Sequence, residues 1–369
     1  MIDEFRERRL NRHQVATAWK EQTGGKVLGT FCCCVPEEII HAAGMLPVRI
    51  LGEHEETTEA DIHFPTNLCP YCKSCFDQAL KGKYDYLDGF VIPNVCNVIK
   101  AMYGFCKLLL KAPYVHFVEV PQRLSSNGVN FFTEDLIEFK KSLEDFSGKK
   151  ISNDDLRHSI EVYNENRSLL ERMYQLRRKS PPLVSGSEAQ EIVISSMLMP
   201  KDEHNRLLTQ LLEWVENRDN PPGDGVRIFI SASVIDDTAF LQLVEECGGM
   251  VVADDMPMGS RYFYGSVDLA GDPLYALADR YLNKIACPRK MLPDERLAFA
   301  DKMMKDADVR GTIIHNMRAC DPHLYEYPLL RQKMESEGIS VLFFKGEETV
   351  TESEQQRTDI EAFIEMLED

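Results

Sequence analysis

The sequence predicts two doubly wound α/β domains, each a parallel sheet covered by helices. Short apolar runs of strand length alternate with segments of helical periodicity. The alternation restarts after two breaker clusters near the middle, Ser180-Pro181-Pro182 and Asn220-Pro221-Pro222-Gly223-Asp224-Gly225. A length of 369 residues is that of about two domains.

Residues 3–22 are amphipathic and predict an opening helix. Val27-Leu28-Gly29-Thr30-Phe31 reads as the first strand. Pro36-Glu37-Glu38-Ile39-Ile40 then opens a helix, with Pro in the first turn and acids at the positive end of the dipole. That helix ends near Gly44, and Pro47-Val48-Arg49-Ile50-Leu51 is the next strand. Leu87 to Ile92 and Tyr114 to Val118 follow as further strands. A long helix begins at Ser152, where Asp155 completes a capping box, and Leu156, Ile160, Tyr163, Leu170 and Met173 or Tyr174 form its apolar stripe. The segment between the two breaker clusters is helical, which predicts a helical bridge between domains spanning 1–185 and 186–369. In the second half, Val226 to Ile230, Met250 to Ala253, Gly311 to Ile314 and Ile339 to Phe344 are strands. Ile360, Phe363, Ile364 and Leu367 mark the closing helix. Strands separated by helices pair in parallel, and two such halves are consistent with a duplication.

Lys and Arg number 42 against 60 Asp and Glu, a net charge of −18. That balance argues against nucleic acid or an anionic membrane surface as the main partner. Met1 to Arg9 is charged throughout, and no apolar run approaches the roughly 20 residues of a spanning helix. A cytoplasmic protein is expected, in which the eleven cysteines stay reduced.

In open α/β sheets ligands bind beyond the carboxyl ends of the strands. Cys96 follows the strand ending Val91-Ile92, Cys320 follows the strand ending Ile313-Ile314, and Cys69 lies in a loop feeding a helix that carries Lys73-Ser74. Each precedes a helix start, where dipole and free N–H groups stabilise a thiolate. Together they make a three-thiolate site in an interdomain cleft, suited to an iron–sulfur cluster or zinc. Spacing alone equally fits three small buried residues. Cys32-Cys33-Cys34 also follows a strand, and Cys69, Cys72 and Cys75 form a C-x2-C-x2-C run. Cys106, Cys247 and Cys287 read as packing residues.

Cys34-Val35-Pro36-Glu37-Glu38-Ile39-Ile40-His41-Ala42-Ala43-Gly44-Met45-Leu46-Pro47-Val48 resembles the opening motif of the benzoyl-CoA reductase / 2-hydroxyacyl-CoA dehydratase family. Asn67-Leu68-Cys69-Pro70, Asp88-Gly89 to Pro93-Asn94-Val95-Cys96, and His315-Asn316 to Cys320-Asp321-Pro322 are similar to its three cysteine motifs, in order. Val252-Ala253-Asp254-Asp255 with Gly259-Ser260-Arg261-Tyr262-Phe263, and Gln356-Arg357-Thr358 with Ile360 to Phe363, extend the likeness over nearly the whole chain. Leu87 to Gln122 and Val162 to Arg167 most resemble the smaller cluster-bearing subunit of ATP-dependent benzoyl-CoA reductase.

The resemblance implies two flavodoxin-like domains with an interdomain [4Fe-4S] cluster on Cys69, Cys96 and Cys320. It implies a heterodimer with a related cluster-bearing subunit, and a separate ATP-hydrolysing iron–sulfur activator. The expected activity is low-potential one-electron reduction of an aromatic acyl-CoA thioester. The alternatives are dehydration of an (R)-2-hydroxyacyl-CoA and a non-catalytic electron-relay role. The chain has no G-x-x-x-x-G-K-[ST] phosphate loop, which agrees with ATP chemistry on another polypeptide. A related branch forms homodimers that hold an [8Fe-9S] double cubane on six cysteines and reduce small molecules; Cys33, Cys34 and Cys72 are the candidate additional ligands here. His315 and Ser231 are candidate catalytic residues, the first as a proton or hydrogen-bond donor near Cys320, the second, like Ser233, as a donor to cluster sulfur or substrate. Strand-end and turn roles are the competing readings for both. Asp254-Asp255 reads as a structural turn with Arg261 ahead of an acid pair. In the last motif Arg357-Thr358-Asp359 has an acid where relatives often carry a base. Lys and Arg are too dispersed in sequence to locate a basic patch for a CoA tail.

Overall fold

Eight short strands form two four-stranded sheets in a computed structural model that describes residues 1–284, 287–290, 293–346 and 354–368. β1 (Val27–Thr30), β2 (Leu46–Arg49), β3 (Gly89–Pro93) and β4 (Tyr114–Val118) pair in parallel in the order β2-β1-β3-β4. β5 (Val226–Ala232), β6 (Gly249–Asp255), β7 (Gly311–Met317) and β8 (Ser340–Gly346) repeat that order as β6-β5-β7-β8. Helices join consecutive strands, as a parallel ladder requires. Two flavodoxin-like doubly wound sheets are therefore present, with the same strand order in each half.

The burial pattern explains the strand sequences. β1, β2, β3, β6 and β7 are buried along their whole length, so their central residues read as continuous apolar runs rather than as alternating ones, with Arg49, Asp254, Asp255, His315 and Asn316 toward the carboxyl ends of β2, β6 and β7. In β5 the pleat sends Ile228 and Ile230 to one face, against Phe363 and Ile364 of the closing helix Glu354–Glu368. Phe229 goes to the other face, with Met303 and Met304 of the helix Pro293–Asp306. The first sheet belongs to a larger cluster that also takes in Ile192, Leu208 and Leu211 from the helices Gly186–Ser195 and Lys201–Glu216. Ser185 caps the first of these, and the bridge segment is helical and packed.

The expected capping box is present: Ser152 and Asp155 bond reciprocally at the start of the helix Asn153–Arg177. Leu156, Ile160, Tyr163, Leu170, Met173 and Tyr174 are its buried face. The opening helix departs from the expectation. It is two helices, Ile2–Leu10 and Arg12–Thr23, because Asn11 adopts φ −100° and ψ 26° between them. β7 also runs further than its apolar core suggests. His315, Asn316 and Met317 continue the ladder against Phe344, Lys345 and Gly346 of β8.

Buried polar bonds tie the halves together. Tyr262 donates to Glu37 Oε2 at 2.7 Å, and Tyr281 donates to Glu38 Oε2 at 2.9 Å. On the helix Asn153–Arg177, Arg177 bonds Asp254 at 2.6 Å and the Val251 carbonyl at 2.7 Å, pinning that helix across β6. No helix among the described residues is long and apolar enough to cross a membrane.

Candidate metal centre

In a sheet of order 2-1-3-4 the connections diverge between strands 1 and 3, opening a crevice beyond their carboxyl ends. Here that point lies between β1 and β3, and again between β5 and β7. The loops after all four strands line one cavity of about 600 Å³: Cys32–Cys34 after β1, Cys96 after β3, Ser233 after β5 and Cys320 after β7. The two crevices therefore face each other across a shared space.

Cys69, Cys96 and Cys320 are each the N-cap residue of a helix, at Pro70–Leu80, Asn97–Leu108 and Asp321–Ser336. All three line the cavity and are partly exposed to it. Pro70 and Pro322 sit in the first turns of their helices, where a missing N–H costs nothing. The Cys96 sulfur accepts the Ile99 backbone N–H at 3.4 Å, and the Cys320 sulfur lies 3.3 Å from His323 Nδ1. Ala319, just before Cys320, has φ 61°, and Cys32 has φ 60°. Left-handed backbone at non-glycine residues costs roughly 1 kcal/mol or more, and such outliers cluster at functional sites.

The other thiols divide. Cys33, Cys34 and Cys72 are buried and line the same cavity, and Cys32, Cys33 and Cys34 hold their sulfurs within 4.8 Å of one another, as ligands to a metal do. Cys287, expected as a packing residue, lines the cavity as well. Cys75 and Cys106 are buried in the core away from it, and Cys247 sits outside it with its sulfur 3.9 Å from the Arg357 carbonyl. Soft thiolates in this number suit iron–sulfur clusters or zinc, so the donor set fits the expected cofactor class.

Electrostatics in the cavity run against the charge of the whole chain. The flanking thiols Cys32 and Cys34 hold Cys33 well below its ordinary range, helped by the Lys284 and Arg49 charges. Cys72 lowers Cys69. Burial pushes Cys96 up to about 11 and raises Cys320 further. Binding a metal there must expel protons. Lys284 bonds the Cys33 carbonyl, Arg289 the Val120 carbonyl and Lys290 the Tyr281 and Leu282 carbonyls. Among the described residues none of these three cations pairs with a carboxylate; burial lowers Lys284 and Lys290, and the Cys33 thiol is the group that opposes this at Lys284. The basic residues that linear sequence could not group, Lys284, Arg289 and Lys290, are gathered here on one cavity, which Arg49, paired with Glu37 at 3.4 Å, also lines.

Arg261 and Arg296 also line the cavity, and both pair with Asp255, at 2.5 Å each; Arg296 bonds Glu326 at 2.6 Å. Burial opposes the Asp255 charge, but the two guanidiniums outweigh it and hold the carboxyl below its usual range. Asp254 bonds Arg177, Tyr174 and the Ser260 N–H. The acid pair is the end of β6 rather than the turn expected, while the expected partnership of Asp255 with Arg261 is present.

His315 and Ser231 lie elsewhere. His315 is inside β7, buried, with its ring 4.6 Å from Phe240, and it is not among the cavity residues. Burial lowers it to about 4, leaving it neutral. Ser231 is inside β5 with its hydroxyl 3.4 Å from Asp255 Oδ2. Ser233, one step beyond the strand, does reach the cavity. His323, Lys284, Arg289, Lys290 and Cys287 were not legible as site residues. His323 carries one usable signal, its position three residues after a helix-capping cysteine.

A family model described as 2-hydroxyglutaryl-CoA dehydratase, D-component, matches residues 32–367. The chain is 30% identical to the (R)-phenyllactyl-CoA dehydratase beta subunit of Clostridium sporogenes over 349 residues, covering 94% of this chain and 93% of that one. It is 29% identical to a benzoyl-CoA reductase subunit of Thauera aromatica over 361 residues, 95% and 94% of the two chains. With the (R)-2-hydroxyglutaryl-CoA dehydratase beta subunit of Acidaminococcus fermentans it shares 25% identity over 377 residues, 100% and 99% of the two chains.

Proposed function

Since the chain belongs to the 2-hydroxyglutaryl-CoA dehydratase D-component family, we propose that it is an iron–sulfur subunit of an ATP-coupled reductase acting on an aromatic acyl-CoA thioester. The observation that supports this reading is the convergence of Cys69, Cys96 and Cys320, each capping a helix, on one cavity at two facing switch points. Those three residues would hold a [4Fe-4S] cluster. Bound there, such a cluster supplies a single electron at low potential.

The chain's own residues do the rest. Lys284, Arg289 and Lys290, none bonded to a carboxylate among the described residues, offer N–H donors to the phosphates of a CoA tail and to the cluster. Val95, Val98, Ile99, Val234 and Met258 give the cavity an apolar wall that excludes water from the thioester. The relatives are named as subunits of larger enzymes, which supports a related cluster-bearing subunit as partner. A separate ATP-hydrolysing activator is the electron source in this reading, and the cytoplasm its setting.

A second reading is favoured by a specific observation. Cys32, Cys33 and Cys34 form a ligand-competent group in the same cavity, joined there by Cys72. These are the thiols a double-cubane [8Fe-9S] cluster would need, in a homodimer acting on small molecules. The test is turnover of the anaerobically purified chain with a companion subunit and activator. Benzoyl-CoA is expected to be consumed with net electron uptake. Turnover of an (R)-2-hydroxyacyl-CoA without net electron consumption would overturn the reductase assignment in favour of a dehydratase. Reduction of small molecules by the chain and activator alone supports the double-cubane reading.

A further inference from the structure

We infer that His323 is a positioning residue that presents its Nδ1–H to the sulfur of Cys320, in a tautomer dictated by Arg261. Arg261 is wholly buried and fully anchored on three sides. Its Nε donates to Asp255 Oδ1 at 2.5 Å, and its Nη2 donates to the carbonyls of Ala232 at 2.8 Å and Asp255 at 2.6 Å. That leaves Nη1 aimed at His323 Nε2, 3.1 Å away. A guanidinium has only donors, so Nε2 must accept. The single imidazole proton then sits on Nδ1, which lies 3.3 Å from Cys320 Sγ. The sulfur is the acceptor.

The arrangement is built into the fold rather than into a rotamer accident. Cys320 caps the helix Asp321–Ser336 and His323 is its third residue, one turn on, so both side chains emerge on the cavity side. Asn316 Nδ2 holds the His323 carbonyl at 3.2 Å. In the equivalent place of the first half, the Cys96 sulfur takes a backbone N–H from the third helical residue, Ile99. The second half adds an oriented side-chain donor that, among the described residues, the first half lacks, and it ties that donor through Arg261 to Asp255 on β6.

The consequence rests on the proposed role of Cys320 as a cluster ligand. An N–H···S bond withdraws electron density from the coordinating sulfur and stabilises the reduced cluster, so His323 raises the reduction potential. His323→Phe removes the donor, whereas His323→Asn keeps an N–H at the δ position. Iron content and cluster potential, the latter by EPR-monitored redox titration, are measured on wild type and both variants. The expected result is unchanged iron, a lower potential in His323→Phe, and a potential near wild type in His323→Asn. Equal potentials in all three overturn the inference while leaving the cluster assignment standing. Absence of iron from the wild type instead overturns the assignment on which the inference depends. The geometry is tested separately by the imidazole 15N shifts of the metal-free chain labelled at histidine: a neutral Nδ1–H ring at His323 is expected, and an Nε2–H ring overturns the inference even where His323→Phe fails to fold.

Discussion

Replacing Cys69, Cys96 or Cys320 by serine is expected to strip iron from the chain without unfolding it. Each residue supplies one sulfur to the same cavity, and a three-thiolate site that loses one ligand keeps no closed coordination for a [4Fe-4S] cluster. Iron is expected to fall from roughly four per chain to well below one in every single variant. The fold survives because each cysteine is a helix N-cap, and serine is among the best N-cap residues. Any change in helix stability should therefore stay within about 1 kcal/mol, by the usual range for caps. Cys247→Ser is the control: its sulfur is outside the cavity, near the Arg357 carbonyl, and iron should be retained. Iron and sulfide analysis alongside circular dichroism separates ligand loss from misfolding. Retention of iron in all three cysteine variants would remove these residues from the site.

Asp255→Asn is expected to destabilise the fold more than any other single change at the cavity wall. Its carboxylate is fully buried and shared between Arg261 and Arg296. Asparagine keeps the shape but leaves two buried guanidiniums short of a counter-charge, Arg296 retaining only Glu326. Breaking a buried pair costs about 3–5 kcal/mol, a large part of the roughly 5–15 kcal/mol that holds a domain folded. Acid has the same effect by another route. The stabilisation from Asp255 is complete above the unfolded carboxyl value of about 3.9 and is lost as pH falls through its depressed folded value. Urea denaturation at neutral pH checks the prediction: a drop of several kcal/mol is expected, and a loss below about 1 kcal/mol would mean that Arg261 and Arg296 are held by other contacts. The variant Asp255→Asn combined with Arg296→Met should recover part of the loss, since it removes one stranded charge.

The fold was legible because buried parallel strands leave continuous apolar runs, and each run read as a strand is one, while the equally apolar Ile192-Val193-Ile194 lies in the helix Gly186–Ser195. Limits failed where polar residues continue a ladder. His315 and Asn316 extend β7 past Ile314 because they point into packed surroundings, His315 against Phe240, and polarity hides that from a hydrophobic reading. The same error moved His315 from strand to loop and made it a candidate for chemistry. The placement of Cys69, Cys96 and Cys320 at helix starts lining one cavity was legible because strand end and helix start are both local signals. Lys284, Arg289 and Lys290 were not, because folding alone brings them to the cavity, Lys284 onto the Cys33 carbonyl 251 residues away in sequence and Arg289 onto that of Val120. Cys287 stands in a Pro-flanked loop with no motif around it. The repeated strand order, β2-β1-β3-β4 and β6-β5-β7-β8, gives the suspected duplication its structural form and makes Cys96 and Cys320 equivalent positions.

The most direct test of the central claim is the amount of iron and acid-labile sulfide per chain after strictly anaerobic purification. The three-cysteine site predicts roughly four irons with matching sulfide, and recruitment of Cys33, Cys34 and Cys72 raises that to roughly eight. A folded chain that carries neither iron nor sulfide, even after reconstitution with both, would contradict the account.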